Sequence, residues 1–256
     1  MSRLGMVIDL QRCVGCGACA LACKAEHNTR TRGNGQSYNY ADFLMRTEGT
    51  FPKTTQWVMP VLCNHCADAP CVKACPQNPK AMFKTPEGIT MHDPDRCIGC
   101  QLCQEACPYS SKELGEASLR GEAYSVISFN PQDREPQPYW SSKTAAIPGC
   151  TSSGAETAKK AGARVPAMNA FVAGDAKPIR KAGVVEKCTL CYHRVSNGMQ
   201  PACVEACPAR ARIFGDQEDP ASEISKVLKA NKSFRLKEDK GTRPNVHYVG
   251  KYSARA

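Results

Sequence analysis

Apolar residues in this chain come in short bursts separated by polar and turn-forming stretches. Gly5-Met6-Val7-Ile8-Asp9-Leu10 reads as a short strand. Phe51 and Trp57-Val58-Met59 read as a second strand with a local core, or as a face for a partner. Ile89-Thr90-Met91 follows a turn signal at Pro86-Glu87-Gly88, and Tyr124-Ser125-Val126-Ile127-Ser128-Phe129 alternates as a strand does. Helical spacing is rarer. Ala18, Ala20, Leu21 and Ala22 suit a small helix; Ile224, Val227 and Leu228 share a helical face that Asp219 and Pro220 would open as N-cap and first residue. No apolar run approaches the roughly 18 residues of a membrane span. Met1–Gln11 holds too short an apolar stretch for a signal-peptide core, so no export signal is expected in it.

Between these bursts lie long connectors. Glu26–Pro60 is mixed polar and aromatic, with a turn expected at Gly33-Asn34-Gly35. Pro131–Pro138 is a charged, proline-rich connector, and Ser141–Lys181, poor in aromatics, reads as a long surface insertion that orders on binding. The basic tail after the last helix is expected on the surface or against a partner.

Cysteine changes this picture. The chain has 256 residues and 17 cysteines. Cys97-x2-Cys100-x2-Cys103-x3-Cys107-Pro108 is the bacterial ferredoxin run for a [4Fe–4S] cluster, and Gly99 relieves its tight loop. Three variations accompany it: Cys13-x2-Cys16-x2-Cys19-x3-Cys23, then Cys63-x2-Cys66-x4-Cys71-x3-Cys75, then Cys188-x2-Cys191-x11-Cys203-x3-Cys207. Lys24 stands where the other runs have proline, which only ends a helical turn. Such spacing argues against a disulfide framework. Zinc needs two Cys pairs, so the third cysteine of each run argues against it, although zinc stays the main rival. His27 reads as a surface histidine. His65 and His193, inside the second and fourth runs, read as hydrogen-bonding or exposed side chains rather than ligands. Cys150 is left over as a free thiol.

Charge now looks different. The formal +10 would suggest nucleic acid, but a [4Fe–4S]²⁺ core with four thiolates carries about −2, so four bring the holo-protein near +2. No basic stripe interleaved with aromatics exists either, and no nucleic-acid partner is expected.

In two-cluster ferredoxins the fourth cysteine of a run ligates the other cluster. Applied here, Cys63, Cys66 and Cys71 take Cys107, while Cys97, Cys100 and Cys103 take Cys75. Cys13, Cys16 and Cys19 take Cys207, while Cys188, Cys191 and Cys203 take Cys23. The first and last runs must then meet. The fold expected is α+β and loop-rich: two interleaved two-cluster, bacterial-type ferredoxin modules with a long insertion. Residues 1–60 and 184–256 form the outer module, 61–112 the inner module and 113–183 the insertion and connector.

Four runs in this order, with x4 in the second and x11 in the fourth, resemble the iron–sulfur subunits of molybdopterin oxidoreductases of the dimethyl sulfoxide reductase family. The resemblance covers nearly all of residues 4–110 and 184–230. Residues 4–19, Arg46-Thr47-Glu48-Gly49-Thr50-Phe51-Pro52 and Pro201-Ala202-Cys203-Val204-Glu205 look most like respiratory arsenate reductase small subunits. Some members replace one cysteine of the third run by tryptophan; Cys100 is cysteine here, so the resemblance implies four [4Fe–4S] clusters. It implies a large molybdopterin-containing catalytic subunit as partner and a quinol-linked membrane or cytochrome electron donor. This chain would pass single electrons between them and perform no substrate chemistry. The outer pair of clusters would lie nearer the catalytic subunit. Polysulfide, tetrathionate or dimethyl sulfoxide reductases, a sulfite-oxidising complex and a stand-alone polyferredoxin are the alternatives. The resemblance also implies a periplasmic location by export with a twin-arginine-bearing partner, the alternative being cytoplasmic and membrane-associated.

Overall fold

The central strand is the first one. In the computed structural model, which describes residues 2–27, 29, 40–110, 118–119, 122–130, 143–145, 147–161 and 181–251, β1 spans Leu4–Asp9. Met6, Val7 and Ile8 are all fully buried, so the strand must be covered on both faces. It is followed by α1 (Ala18–His27), the hairpin β2 (Ala41–Thr50) and β3 (Lys53–Leu62), α2 (Pro70–Ala74), the hairpin β4 (Met82–Lys84) and β5 (Thr90–His92), and α3 (Leu102–Glu105). Next come β6 (Ser118–Leu119), β7 (Glu122–Ala123), β8 (Ile127–Phe129), α4 (Gly154–Ala161), β9 (Val185–Lys187), α5 (Tyr192–Val195) and α6 (Ala202–Glu205). The chain closes with β10 (Arg212–Asp216), α7 (Glu223–Ala230), β11 (Ser233–Phe234) and β12 (Val246–Val249). The result is a mixed α/β fold with few and short helices, as the sequence leads one to expect. Among the described residues no helix is long and apolar enough to cross a membrane.

The main sheet runs β10-β1-β12-β11, with β1 antiparallel to β10 and parallel to β12. Strand alternation divides the interior. Met6, Ile8, Val246 and Tyr248 face the cysteine-bearing core, whereas Val7, Ile213 and Val249 face α7 and its Ile224. That helix starts later than its sequence suggests. Asp219 and Pro220 form a preceding turn, Asp219 Oδ1 accepting the Ala221 N–H at 2.9 Å, and Ser222 is the cap, accepting the Ser225 N–H at 3.2 Å. Both residues are good caps, and the one whose hydroxyl reaches the third N–H wins.

The basic tail is not a surface appendage. β12 is a buried interior strand, and Asn245 donates to the Asn64 carbonyl at 2.9 Å and through Nδ2 to the His65 carbonyl at 2.8 Å. Tyr248 Oη donates to the Pro60 carbonyl at 2.8 Å. In Val246-His247-Tyr248-Val249 only three residues carry an apolar signal, too short a run to stand out among the neighbouring charges.

The second expected strand is β3, and with β2 it forms a hairpin of two ten-residue strands whose inner half is largely buried and whose outer half is exposed. Phe51, expected in a local core, lies at the tip and is 89% exposed. The expected strand at 124–129 shortens to β8, which pairs antiparallel with β9. Tyr124 and Ser125 precede it, buried but not in a strand. Residues 124–130 thus belong to the core, although the sequence reading puts them in the insertion. The turn expected at Gly33–Gly35, the Pro131–Pro138 connector and most of Ser141–Lys181 lie outside the described residues.

Ile224→Ala is expected to destabilise the protein by about 2–5 kcal/mol, since a fully buried branched side chain leaves a cavity. Phe51→Ala is expected to change stability by less than about 0.5 kcal/mol. Urea midpoints of the anaerobically prepared protein compare the two.

Candidate metal centres

Each cysteine run opens with the same backbone device. The residue just before the second cysteine is left-handed in all four: Gly15, His65, Gly99 and Leu190 have φ between 44° and 70°. That conformation folds the loop back so that an amide can point at the first sulfur. Gly99 donates to Cys97 Sγ at 3.4 Å and Leu190 to Cys188 Sγ at 3.3 Å. Glycine is required at position 99 for a second reason. A Cβ there would stand 2.1 Å from the Gly183 carbonyl oxygen, so only a bare backbone fits between the third and fourth runs.

Short helices carry the later cysteines of each run. α1 holds Cys19 and Cys23, α2 holds Cys71, α3 holds Cys103 and α6 holds Cys203. α1 packs against α6, and α2 against α3. The first three thiols of one run therefore gather with the last thiol of another. One cavity is lined by Cys13, Cys16, Cys19 and Cys207, with Phe43, Val58 and Arg212 around it. A second is lined by Cys97, Cys100, Cys103 and Cys75, with Met82, His92 and Val185. Cys107 is buried, and after burial itself its thiol is pushed up by its neighbours Cys71, Cys63 and Cys66. Cys23 is pushed up by burial and then by Cys188, Cys203 and Cys191.

Burial leaves these thiols reluctant acids. Desolvation, aided by neighbouring thiols, pushes Cys66, Cys103 and Cys191 up to about 12 and Cys71 up to about 11. Four thiolates cannot share such a pocket unaided, whereas bound iron supplies the positive charge that holds them deprotonated. Among the described residues no three Cys, His, Asp or Glu side chains converge closely enough for a single metal ion. The donor set, all sulfur and spread around cavities, fits an iron–sulfur cubane better than zinc.

Polar groups complete these pockets, and several escape a reading of the sequence. His27 is not a bland surface histidine: its Nε2 is 3.3 Å from Cys191 Sγ, and its ring packs edge-on to His193. His193 Nε2 meets Glu26 Oε1 at 2.7 Å, beside the fourth run as expected of a supporting group. His65 hydrogen-bonds rather than facing solvent, its Nδ1 accepting the Thr90 N–H at 3.2 Å, and burial keeps it neutral. Lys84 Nζ donates to the Cys66 carbonyl at 2.6 Å and the Gly88 carbonyl at 3.0 Å. Arg212 and Lys187 are buried among cysteines. The signal for Arg212 is a charge at an inward strand position between Ala211 and Ile213; Lys187 adjoins the first cysteine of its run. Cys150 is exposed and belongs to none of the four sets.

Residues 54–122 and 176–217 match the family described as the 4Fe-4S dicluster domain, and residues 4–25 match the 4Fe-4S binding domain. The chain is 42% identical over 254 residues to the arsenate respiratory reductase iron–sulfur subunit of Shewanella sp. (strain ANA-3), covering 99% of this chain and 98% of that one. It is 32% identical to a selenate reductase subunit of Mesobacillus selenatarsenatis, over 95% of this chain and 70% of that one. It is 30% identical to a tetrathionate reductase subunit of Salmonella typhimurium, over 97% and 72%.

Gly99→Ala is expected to disrupt the third run alone, by forcing its loop away from Gly183. Iron per protein should fall by one cluster's worth while the remaining clusters keep their EPR signals.

Proposed function

The chain belongs to the iron–sulfur subunits of the molybdopterin oxidoreductase family, and we propose that it is the electron-transfer subunit of a respiratory arsenate reductase. The observation that carries the substrate is the 42% identity to the arsenate reductase subunit over almost the full length of both chains. Identity to the selenate and tetrathionate relatives is lower, and the chain covers less of each.

Sixteen cysteines hold four [4Fe–4S] clusters in this reading. One set is Cys13, Cys16, Cys19 and Cys207; the next is Cys188, Cys191, Cys203 and Cys23. The others are Cys63, Cys66, Cys71 and Cys107, and Cys97, Cys100, Cys103 and Cys75. Two cavities lined by such sets and the thiol neighbours of Cys107 and Cys23 support it. Each bound cluster supplies one-electron redox chemistry.

What the chain contributes is order. Cys19 and Cys203 both face Arg212, Cys188 has Cys63 as a neighbour, and Cys103 has Cys71. These contacts support a single file of four sites. Cys16 and Cys100, the exposed ligands, sit in its terminal members. Val14 and Leu21 are exposed on the first and fourth runs' side, Ile98 and Leu102 at the other end. Both ends thus offer apolar surface beside a reachable sulfur, as delivery to one partner and receipt from another requires. The partners in this reading are the molybdopterin catalytic subunit at the outer module and a quinol-linked donor at the inner one. The location is periplasmic, by export with a twin-arginine-bearing catalytic subunit. The interleaved modules are 1–60 with 184–256 and 61–112, joined by 113–183; the packing of α1 on α6 and α2 on α3 supports that division.

Anaerobic purification from the native host tests this. The protein should arrive from the periplasmic fraction with a large molybdenum-bearing partner, and the complex should reduce arsenate faster than tetrathionate or polysulfide. Purification alone, with iron but no molybdenum, would make it a free polyferredoxin; a preference for another oxyanion would move it elsewhere in the family.

A further inference from the structure

A buried cation without a carboxylate is costly, because it loses its hydration and no counter-ion repays the loss. Among the described residues the interior holds two. Arg212, on β10, is 3% exposed, and its Nη1 stands 3.7 Å from Met6 Sδ and 3.9 Å from Cys203 Sγ. Its Nη2 is buried with no hydrogen-bond partner. The acidic groups it faces are the thiols of Cys19 and Cys203, which belong to two different sets, and the phenol of Tyr248. Lys187, on β9, is 1% exposed, and its Nζ donates to the Thr90 carbonyl at 2.5 Å and the Cys188 carbonyl at 2.6 Å. Its charge reaches Cys188 and Cys71, again in two different sets. Among the described residues neither cation forms an ion pair with a carboxylate.

We propose that Arg212 and Lys187 are junction charges that set the reduction potentials of the clusters two at a time. Arg212 serves the sets of Cys13–Cys19 with Cys207 and of Cys188–Cys203 with Cys23; Lys187 serves the latter and the set of Cys63–Cys71 with Cys107. This rests on the four-cluster reading above. The electrostatics are direct. Reduction adds one negative charge to a cluster, and a fixed cation nearby in a low-dielectric interior favours that state. A cation between two clusters also weakens the repulsion between electrons held on both. The last set differs: around Cys103 the neighbouring ionisable groups are thiols, those of Cys71, Cys97, Cys100 and Cys75, and the cation beside Cys75 is the exposed Lys80, whose Nζ donates to the Cys75 carbonyl at 2.7 Å. Neither junction charge serves it.

The proposal therefore predicts a pattern rather than a loss. In EPR-monitored redox titrations of the anaerobically purified complex, Arg212→Met should lower two of the four potentials, and Lys187→Met should lower two with one in common. One potential should move in neither. Arg212→Lys should keep potentials close to those of the wild type, and iron content should be unchanged throughout. Arg212→Gln removes the charge while keeping a hydrogen-bonding side chain, so the test survives if the methionine variant does not fold. Full iron content with unmoved potentials, or a shift confined to one cluster in each variant, would overturn the proposal. A wild-type complex that titrates with fewer than four clusters would count against the four-cluster reading instead, before any variant is compared.

Discussion

Thiolates repel one another, and a protein interior does little to screen that repulsion. Most of the sixteen cysteines in the four runs are buried, several beside members of a different run, and burial pushes the thiols of Cys23, Cys66 and Cys107 well above the ordinary range. The arrangement makes sense only with a positively charged centre that binds the sulfurs as anions. Everything else in the fold is subordinate to bringing distant stretches of chain around such centres. The left-handed residue before each second cysteine curls a loop, a helix of a few residues presents the later sulfurs, and α1 reaches α6 because Cys23 must lie beside Cys188, Cys191 and Cys203. The aliphatic core follows suit, with Met6, Ile8, Leu62, Ile89 and Leu190 packed among the cysteines in one continuous cluster.

The C-terminal segment ties the halves together. Tyr109 Oη donates to the Leu236 carbonyl at 2.8 Å, Lys237 Nζ to the Pro108 carbonyl at 2.6 Å, and Asn245 spans to Asn64 and His65. Arg243 pairs with Asp68, and the Thr242 hydroxyl hydrogen-bonds the Cys66 thiol. The final strand of the outer sheet thus also supports the second run. Mechanical continuity between the two halves is what an electron relay needs, since transfer between sites depends on fixed separation.

Spacing makes much of this legible. Cysteine position is a local, discrete signal, so the four runs, their grouping and the kind of cofactor follow from counting. The first strand is equally plain, because Met6-Val7-Ile8 is apolar on both faces. What stays hidden depends on distant neighbours. The apolar neighbours Ala211 and Ile213 hint that Arg212 is buried but not which thiols it meets, and nothing local marks His27 as lying 3.3 Å from a thiol 164 residues away. β12 escapes notice because three apolar residues, interrupted by His247, do not outweigh their surroundings; pairing with β1 decides its burial. Asp219 and Ser222 are equally good caps in sequence, and only hydrogen-bond geometry separates them.

The central claim is that sulfurs from different runs share each cluster. An iron-anomalous diffraction map of the anaerobically crystallised protein addresses it directly. The account predicts four compact iron centres, each bonded to three cysteines of one run and the last cysteine of another, with Cys23, Cys75, Cys107 and Cys207 all exchanged. Centres bonded to the four cysteines of a single run, or single ions in tetrahedral sites, would contradict it.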